Sequence, residues 1–355
     1  MDAVPTMQPG SEVVESLVEV FPSSDILHDP DFWFNDGNIV IVAKDHYPDA
    51  RLTGFRVHMG VMSRHSEVFK NLLCQPLPRP KEGEGAATIE GCPQMLVTDS
   101  HYDFKQLLHA LYDGIGYFTE PEPVGFGELA ALVRLGHNYD IAPVYSAGLK
   151  RLRAAFDDRA YWVDPPSPDE GTDDERWRPN HWEALIAVNL FRTIEVHDLR
   201  AIALYISSTQ LTAEQLIRGA EREDHFLERL ADDDLARCFE GRLCLLSRRL
   251  DYVNSTVLLN SRPGCERAKE CSAHLKTLLP EQTYGYANLI GLKLAPRIYR
   301  PVQGEQLCGR CTDLYKEREE QFPEELWDGL REIMSMPRST LEPETPSENT
   351  TITAA

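Results

Sequence analysis

The strongest constraint on the fold is a change of hydrophobic period between residues 32 and 73. "FWFNDGNIVIVA" at 32–43 and "GFRVHMG" at 54–60 are rich in β-branched and aromatic residues, with Asp36–Gly37 marking a turn, and so read as strands. From 61 to 73 the spacing becomes helical: Val61, Met62, Val68, Phe69, Leu72 and Leu73 recur three and four apart. That helix starts near "MSRHS" and ends at "CQPLPRP", because proline cannot continue it. Strands that hand over directly to an amphipathic helix point to an α+β unit with its helices packed on a small sheet.

The same reading continues along the chain. A Pro/Gly/Glu-rich loop at 76–93 precedes a third strand, "QMLVT". "DSHYDFKQLLHALYDG" opens on an Asp/Ser cap, sets Phe104, Leu107, Leu108 and Leu111 on one face, and closes at Gly114. A helical block runs from about 124 to 156. Beyond an acidic Pro-rich loop (157–180), residues 181–335 read as a mostly helical region, with segments at 181–193, 196–208, 212–219, 222–230 and 232–251. In the last of these Leu235, Phe239, Leu243, Leu246 and Leu250 form a stripe expected to face the core. Residues 1–28 and 336–355 have the composition of disordered ends.

Charge bounds the partners. The chain of 355 residues carries a formal net charge of −21. Acid is concentrated near the start, at 164–177 and in the last forty residues. Such a surface repels nucleic acid, whose affinity comes largely from Lys and Arg on phosphates, and the basic run "LKRLR" at 149–153 reads as one solvated helix face. No apolar run approaches the roughly 20 residues needed to cross a bilayer. Eight acidic residues and no Lys or Arg precede Lys44, which is neither a secretory signal nor a transit peptide. A cytoplasmic or nuclear location is therefore expected, and the Asn254 and Asn349 sequons are expected to be chance matches.

Motifs whose spacing has a mechanical reason are missing. The sequence holds no Gly-x-Ser-x-Gly elbow, no His-Glu-x-x-His and no Gly-x-x-x-x-Gly-Lys-Ser/Thr phosphate loop. His58 and His65 sit amid apolar residues with no second ligand type at a metal spacing, so His58 is expected to be a hydrogen-bonded framework residue and His65 an exposed one in the first turn of its helix. The expected class is a non-enzymatic binding protein.

One constellation carries chemistry. Cys271-x2-His274 is followed by Cys308-x2-Cys311, four N/S ligands of the kind tetrahedral zinc takes in a reducing compartment. Cys265 stands shortly before Cys271 as an alternate ligand. Such a metal would staple a helical end segment interrupted by long irregular stretches. The same cysteines also read as ordinary reduced core residues, or as a redox Cys-x-x-Cys without the βαβ context such a motif uses. A catalytic metal would further need an open ligand position and a base; Glu266, Glu270 and Glu305 are near in sequence. Cys74, Cys92, Cys238 and Cys244 have no comparable grouping.

Taken together, Asp36, Phe55–Val57–His58, Ser66–Phe69 and the run Phe104, Leu107, Leu108, Leu111, Tyr112, Gly114 resemble a BTB/POZ domain over about residues 30–115. "DGNIVIVA", "IEGCP" and "DFKQLLHALYDG" look like the BTB proteins numerous in mushroom-forming fungi, as do Cys308, Cys311 and Trp327 near the end. The resemblance implies a BTB/POZ unit at 29–156, a protein partner, possible homodimers, and a scaffold role for His58. Where the family commonly has Lys or Arg after that histidine, paired with the acidic residue of the first strand, this chain has Met59, so Asp36 needs another partner. A substrate-adaptor role on a cullin-based ubiquitin ligase is the alternative, although the hydrophobic-x-Glu step that relatives carry near the position of Met95 is not matched.

Overall fold

The computed structural model describes residues 21–45, 51–74, 88–114, 124–163, 177–257, 264–283 and 307–335. The expected acidic loop at 157–180 and the expected disordered ends lie largely outside them. The chain is mixed α and β, with a small curled five-stranded sheet and a helical majority.

Five short strands build the sheet: β1 (Ile26–Trp33), β2 (Ile39–Lys44), β3 (Leu52–Val57), β4 (Thr88–Ile89) and β5 (Cys92–Leu96), in the order β1-β3-β2-β5-β4. β2 and β3 pair antiparallel, β5 runs parallel to β2, and β1 runs parallel to β3. Central β2, "IVIVAK", is apolar on both faces because both are covered. Ile39, Ile41 and Ala43 enter the main core, while Val40 and Val42 join Ile26, Leu52, Ile89 and Cys92 in a smaller cluster behind the sheet. One expected strand at 32–43 is thus two, and β1 begins at Ile26, inside the segment expected to be disordered.

Helices α1 (Met59–His65) and α2 (Glu67–Cys74) replace the single expected helix. Ser66 causes the break: its extended backbone ends α1, and its hydroxyl accepts the Phe69 N–H at 3.0 Å while donating to the Tyr139 carbonyl at 2.5 Å. His65 is exposed, but in the last turn of α1. α3 (His101–Tyr112) starts at an N-cap, Ser100, that accepts from the Asp103 N–H, and buries Phe104, Leu107, Leu108 and Leu111 as its periodicity predicts. α4 (Phe126–Asn138) packs against it and pairs with α5 (Ala142–Phe156).

A short α6 (Arg159–Val163) leads to the C-terminal helices: α7 (His181–Thr193), α8 (His197–Gln210), α9 (Ala213–Arg218), α10 (Asp232–Val257), α11 (Ala268–Thr283), α12 (Gly309–Asp328) and α13 (Leu330–Ile333). The expected helix at 222–230 is instead the turn and second strand of a hairpin, β6 (Ala220–Glu221) with β7 (Leu227–Glu228). In α10 the expected stripe meets the core only in part: Leu235 and Phe239 pack against it, but Leu243 is 68% and Leu250 39% exposed. The buried face carries Asp234, Cys238, Leu245, Arg249 and Tyr252. Two charges hid it from a hydrophobicity reading, and Asp234 tolerates complete burial because Arg192, Arg200 and Arg237 surround it. Among the described residues no helix is long and apolar enough to cross a membrane.

Candidate metal centre

Four thiols converge where α11 and α12 begin. Cys271 lies in the first turn of α11, Cys308 is the N-cap of α12, Cys311 sits one turn into that helix, and Cys265 comes from the turn leading to α11. All four sulfur atoms lie within 4.8 Å of one another. Cys265 Sγ is 3.8 Å from Cys308 Sγ and 3.5 Å from Cys311 Sγ, far beyond a disulfide bond. Tetrahedral zinc with Zn–S bonds of about 2.3 Å places its sulfurs about 3.8 Å apart. The two Cys265 separations are close to that spacing, and all four sulfurs lie within 4.8 Å, near enough for one ion to gather them.

Local structure explains the convergence. Gly264, just before Cys265, adopts φ +80°, where a side chain would be strained; a Cβ there would also come 2.9 Å from Nε of Arg310. The Cys308–Cys311 spacing is that of an N-cap and the third helical residue, so one tight turn delivers both sulfurs, and the Cys311 N–H bonds to the Cys308 carbonyl at 3.0 Å. The Cys308 N–H in turn donates to Cys271 Sγ at 3.3 Å. Two helix N-termini face the cluster, and their dipoles favour thiolate over thiol.

The thiols differ in acidity. Backbone N–H groups of Cys311 and Glu266 hold the Cys308 thiol down to about 6. Burial pushes the Cys271 and Cys311 thiols up. A cation among them would reverse that by stabilising the charged forms. Cys271, Cys308 and Cys311 are almost fully buried, and Cys265 is partly exposed.

The ligand set needs one correction. Sequence spacing selects Cys271, His274, Cys308 and Cys311 with Cys265 as the alternate; the mutually close group contains Cys265 and not His274. His274 follows Cys271 by three residues on the same helix and is partly buried, but it does not belong to the group of mutually close ligand atoms. The interval between Cys265 and Cys271 looks irregular because it spans a turn and a helix start, not a zinc knuckle. The Pro263–Gly264 pair is the available signal.

His58 belongs to the sheet instead. It joins β3 to α1, and its N–H donates to the Tyr112 hydroxyl at 3.0 Å. That hydroxyl lies 3.1 Å from Nδ1, which leaves Nε2 facing Asp36 Oδ1 at 3.3 Å. So the partner of Asp36 is His58 itself, while the Met59 N–H is taken by the Asn38 side chain at 2.8 Å. Comparison with protein-family models, with curated proteins and with solved structures returns no match for this chain.

Proposed function

We propose that this chain is a BTB/POZ-type protein-interaction module, a non-enzymatic scaffold or adaptor whose C-terminal helices are pinned by a structural zinc. The observation that carries the reading is where the family-like residues meet. Phe55 and Phe104 pack with ring centroids 5.5 Å apart, Phe69 and Phe104 at 6.3 Å, and Leu107, Leu108 and Leu111 complete the same core between sheet and helices. His58 and Tyr112 brace its edge. These are scaffold roles, as the resemblance implies, and the order of hairpin, helix pair, parallel strand and helix agrees with it.

The cysteines support a structural metal over a catalytic one. Four thiolates fill every position of a tetrahedral ion and leave none for an activated water. The net charge of −21 favours protein surfaces over nucleic acid as partners.

Affinity purification of the tagged full-length chain from its native cells tests the proposal. Stoichiometric recovery of a protein partner supports it, whereas recovery of the chain alone as a monomer at high concentration by light scattering counts against it. Recovery of a cullin that is lost when the β4–β5 turn is altered would favour the ligase-adaptor alternative.

A further inference from the structure

A small cavity of about 170 Å³ lies between α3, α4, the start of α7 and the β6–β7 hairpin. Tyr102, Phe126 and Trp182 supply aromatic surface, and Phe126 is itself backed by Trp177 at 6.0 Å between ring centroids. Charge is supplied by Asp103, Glu183, Glu221 and Glu223 against two guanidiniums, Arg134 and Arg222.

The two cations are already engaged. Arg134 and Arg222 both bind the buried carboxylate of Asp103, and Arg222 also contacts Asp224 at 2.6 Å and Glu228 at 3.3 Å. Three of the four carboxylates have something to hold. Asp103 has its two arginines, Glu221 has His225 at 2.7 Å, and Glu183 caps α7 by accepting the Asn180 N–H at 2.7 Å. Glu223 has no ion-pair partner among the described residues, and its side chain lies against Gly127, where a Cβ would come within 2.6 Å of it. The absence of a side chain at Gly127 is what leaves room for Glu223 and the Tyr102 hydroxyl at the rim.

We infer that this cavity is a binding site for an organic cation of the size of a Lys or Arg side-chain end, held between aromatic faces and the carboxylates of Glu183 and Glu223. Its volume is below the range of cavities that enclose drug-sized ligands and suits a single charged head group. An aromatic face attracts a cation through its quadrupole, and a carboxylate at the rim adds a charge that guanidinium or ammonium can meet. The inference stands on this cavity alone, whether or not the chain is an interaction module.

Ligand-observed NMR on the full chain tests it, using N-acetyl-arginine amide and N-acetyl-trimethyllysine amide as probes. N-acetyl-norleucine amide serves as the neutral control and inorganic phosphate as the anionic one. One or both cations should bind while the neutral and anionic probes do not, and the better of the two tells guanidinium from alkylammonium. Glu223→Lys, an exposed position, places an ammonium at the rim and should weaken cation binding about tenfold or more. Trp182→Leu should weaken it as well, and unchanged circular dichroism establishes that both variants are folded. No binding by either cation, equal binding of norleucine amide, preferential binding of phosphate, or cation binding unaltered by Glu223→Lys in the folded variant would each overturn the inference.

Discussion

Removing metal from the cysteine cluster should lower stability by an amount set by chain geometry. Cys271 and Cys308 are 37 residues apart, and in the folded chain the packing of α10, α11 and α12 already brings them together. An unfolded chain keeps the same thiols but must close that loop to use them. At (3/2)RT ln n the closure costs about 3 kcal/mol, so the unfolded chain binds the ion roughly two hundredfold more weakly. Zinc stabilisation therefore saturates near that difference, which corresponds to roughly 6–12 °C in melting temperature at about 2–4 °C per kcal/mol. The assay is a thermal melt followed by circular dichroism under reducing conditions, with and without chelator and across zinc buffers. Chelation should lower the midpoint and zinc restore it, Cys308→Ser and Cys265→Ser should each lose the zinc-dependent increment, and His274→Ala should keep it. A midpoint indifferent to chelator and zinc, with the thiols intact, would refute the reasoning and leave the cysteines as core residues.

Other outcomes follow from single contacts. Gly264→Ala should reduce zinc affinity, measured by competition with a chromophoric chelator, because φ +80° and the contact with Arg310 displace Cys265. Ser66→Ala removes both the cap of α2 and the bond to the Tyr139 carbonyl, costing about 1–2 kcal/mol in urea unfolding. Asp234→Ala leaves buried Arg200 with only the more distant Asp233 carboxylate, 3.9 Å away, and should cost about 3–5 kcal/mol, whereas a cost under about 1 kcal/mol would show that the network is dispensable. Burial pushes the Asp29 carboxyl up, but bonds from His101, the Asp31 N–H and Lys105 outweigh that and hold it below the ordinary carboxylate range. Its contribution is thus present above the unfolded value near about 4 and lost as pH falls below it, so Asp29→Asn should flatten the acid limb of stability against pH.

The parts legible in the sequence were those whose signal is local. Ser100 and the Phe104–Leu111 stripe located α3 to within a residue, and "IVIVA" announced the strand β2. The Cys308–Cys311 pair was legible because a helix N-terminus sets that spacing. What was not legible depends on distant partners. The buried face of α10 is built on Asp234, whose neutralising arginines come from α7 and α8 as well as from α10 itself, so a hydrophobicity reading found only its edge, at Leu235 and Phe239. The hairpin at 220–228 is held by Arg222 reaching back to Asp103, 119 residues earlier, a contact with no trace in local spacing. Cys265 was undervalued for the same reason: its place beside Cys308 and Cys311 is made by a turn and two helix starts, not by a spacing motif.

X-ray absorption at the zinc edge, on protein purified without a metal-binding tag and quantified for metal, tests the centre most directly. One zinc per chain with four sulfur neighbours at about 2.3 Å is the expected result. Metal-free protein, or a shell of three sulfurs and one imidazole nitrogen, would contradict the four-cysteine assignment.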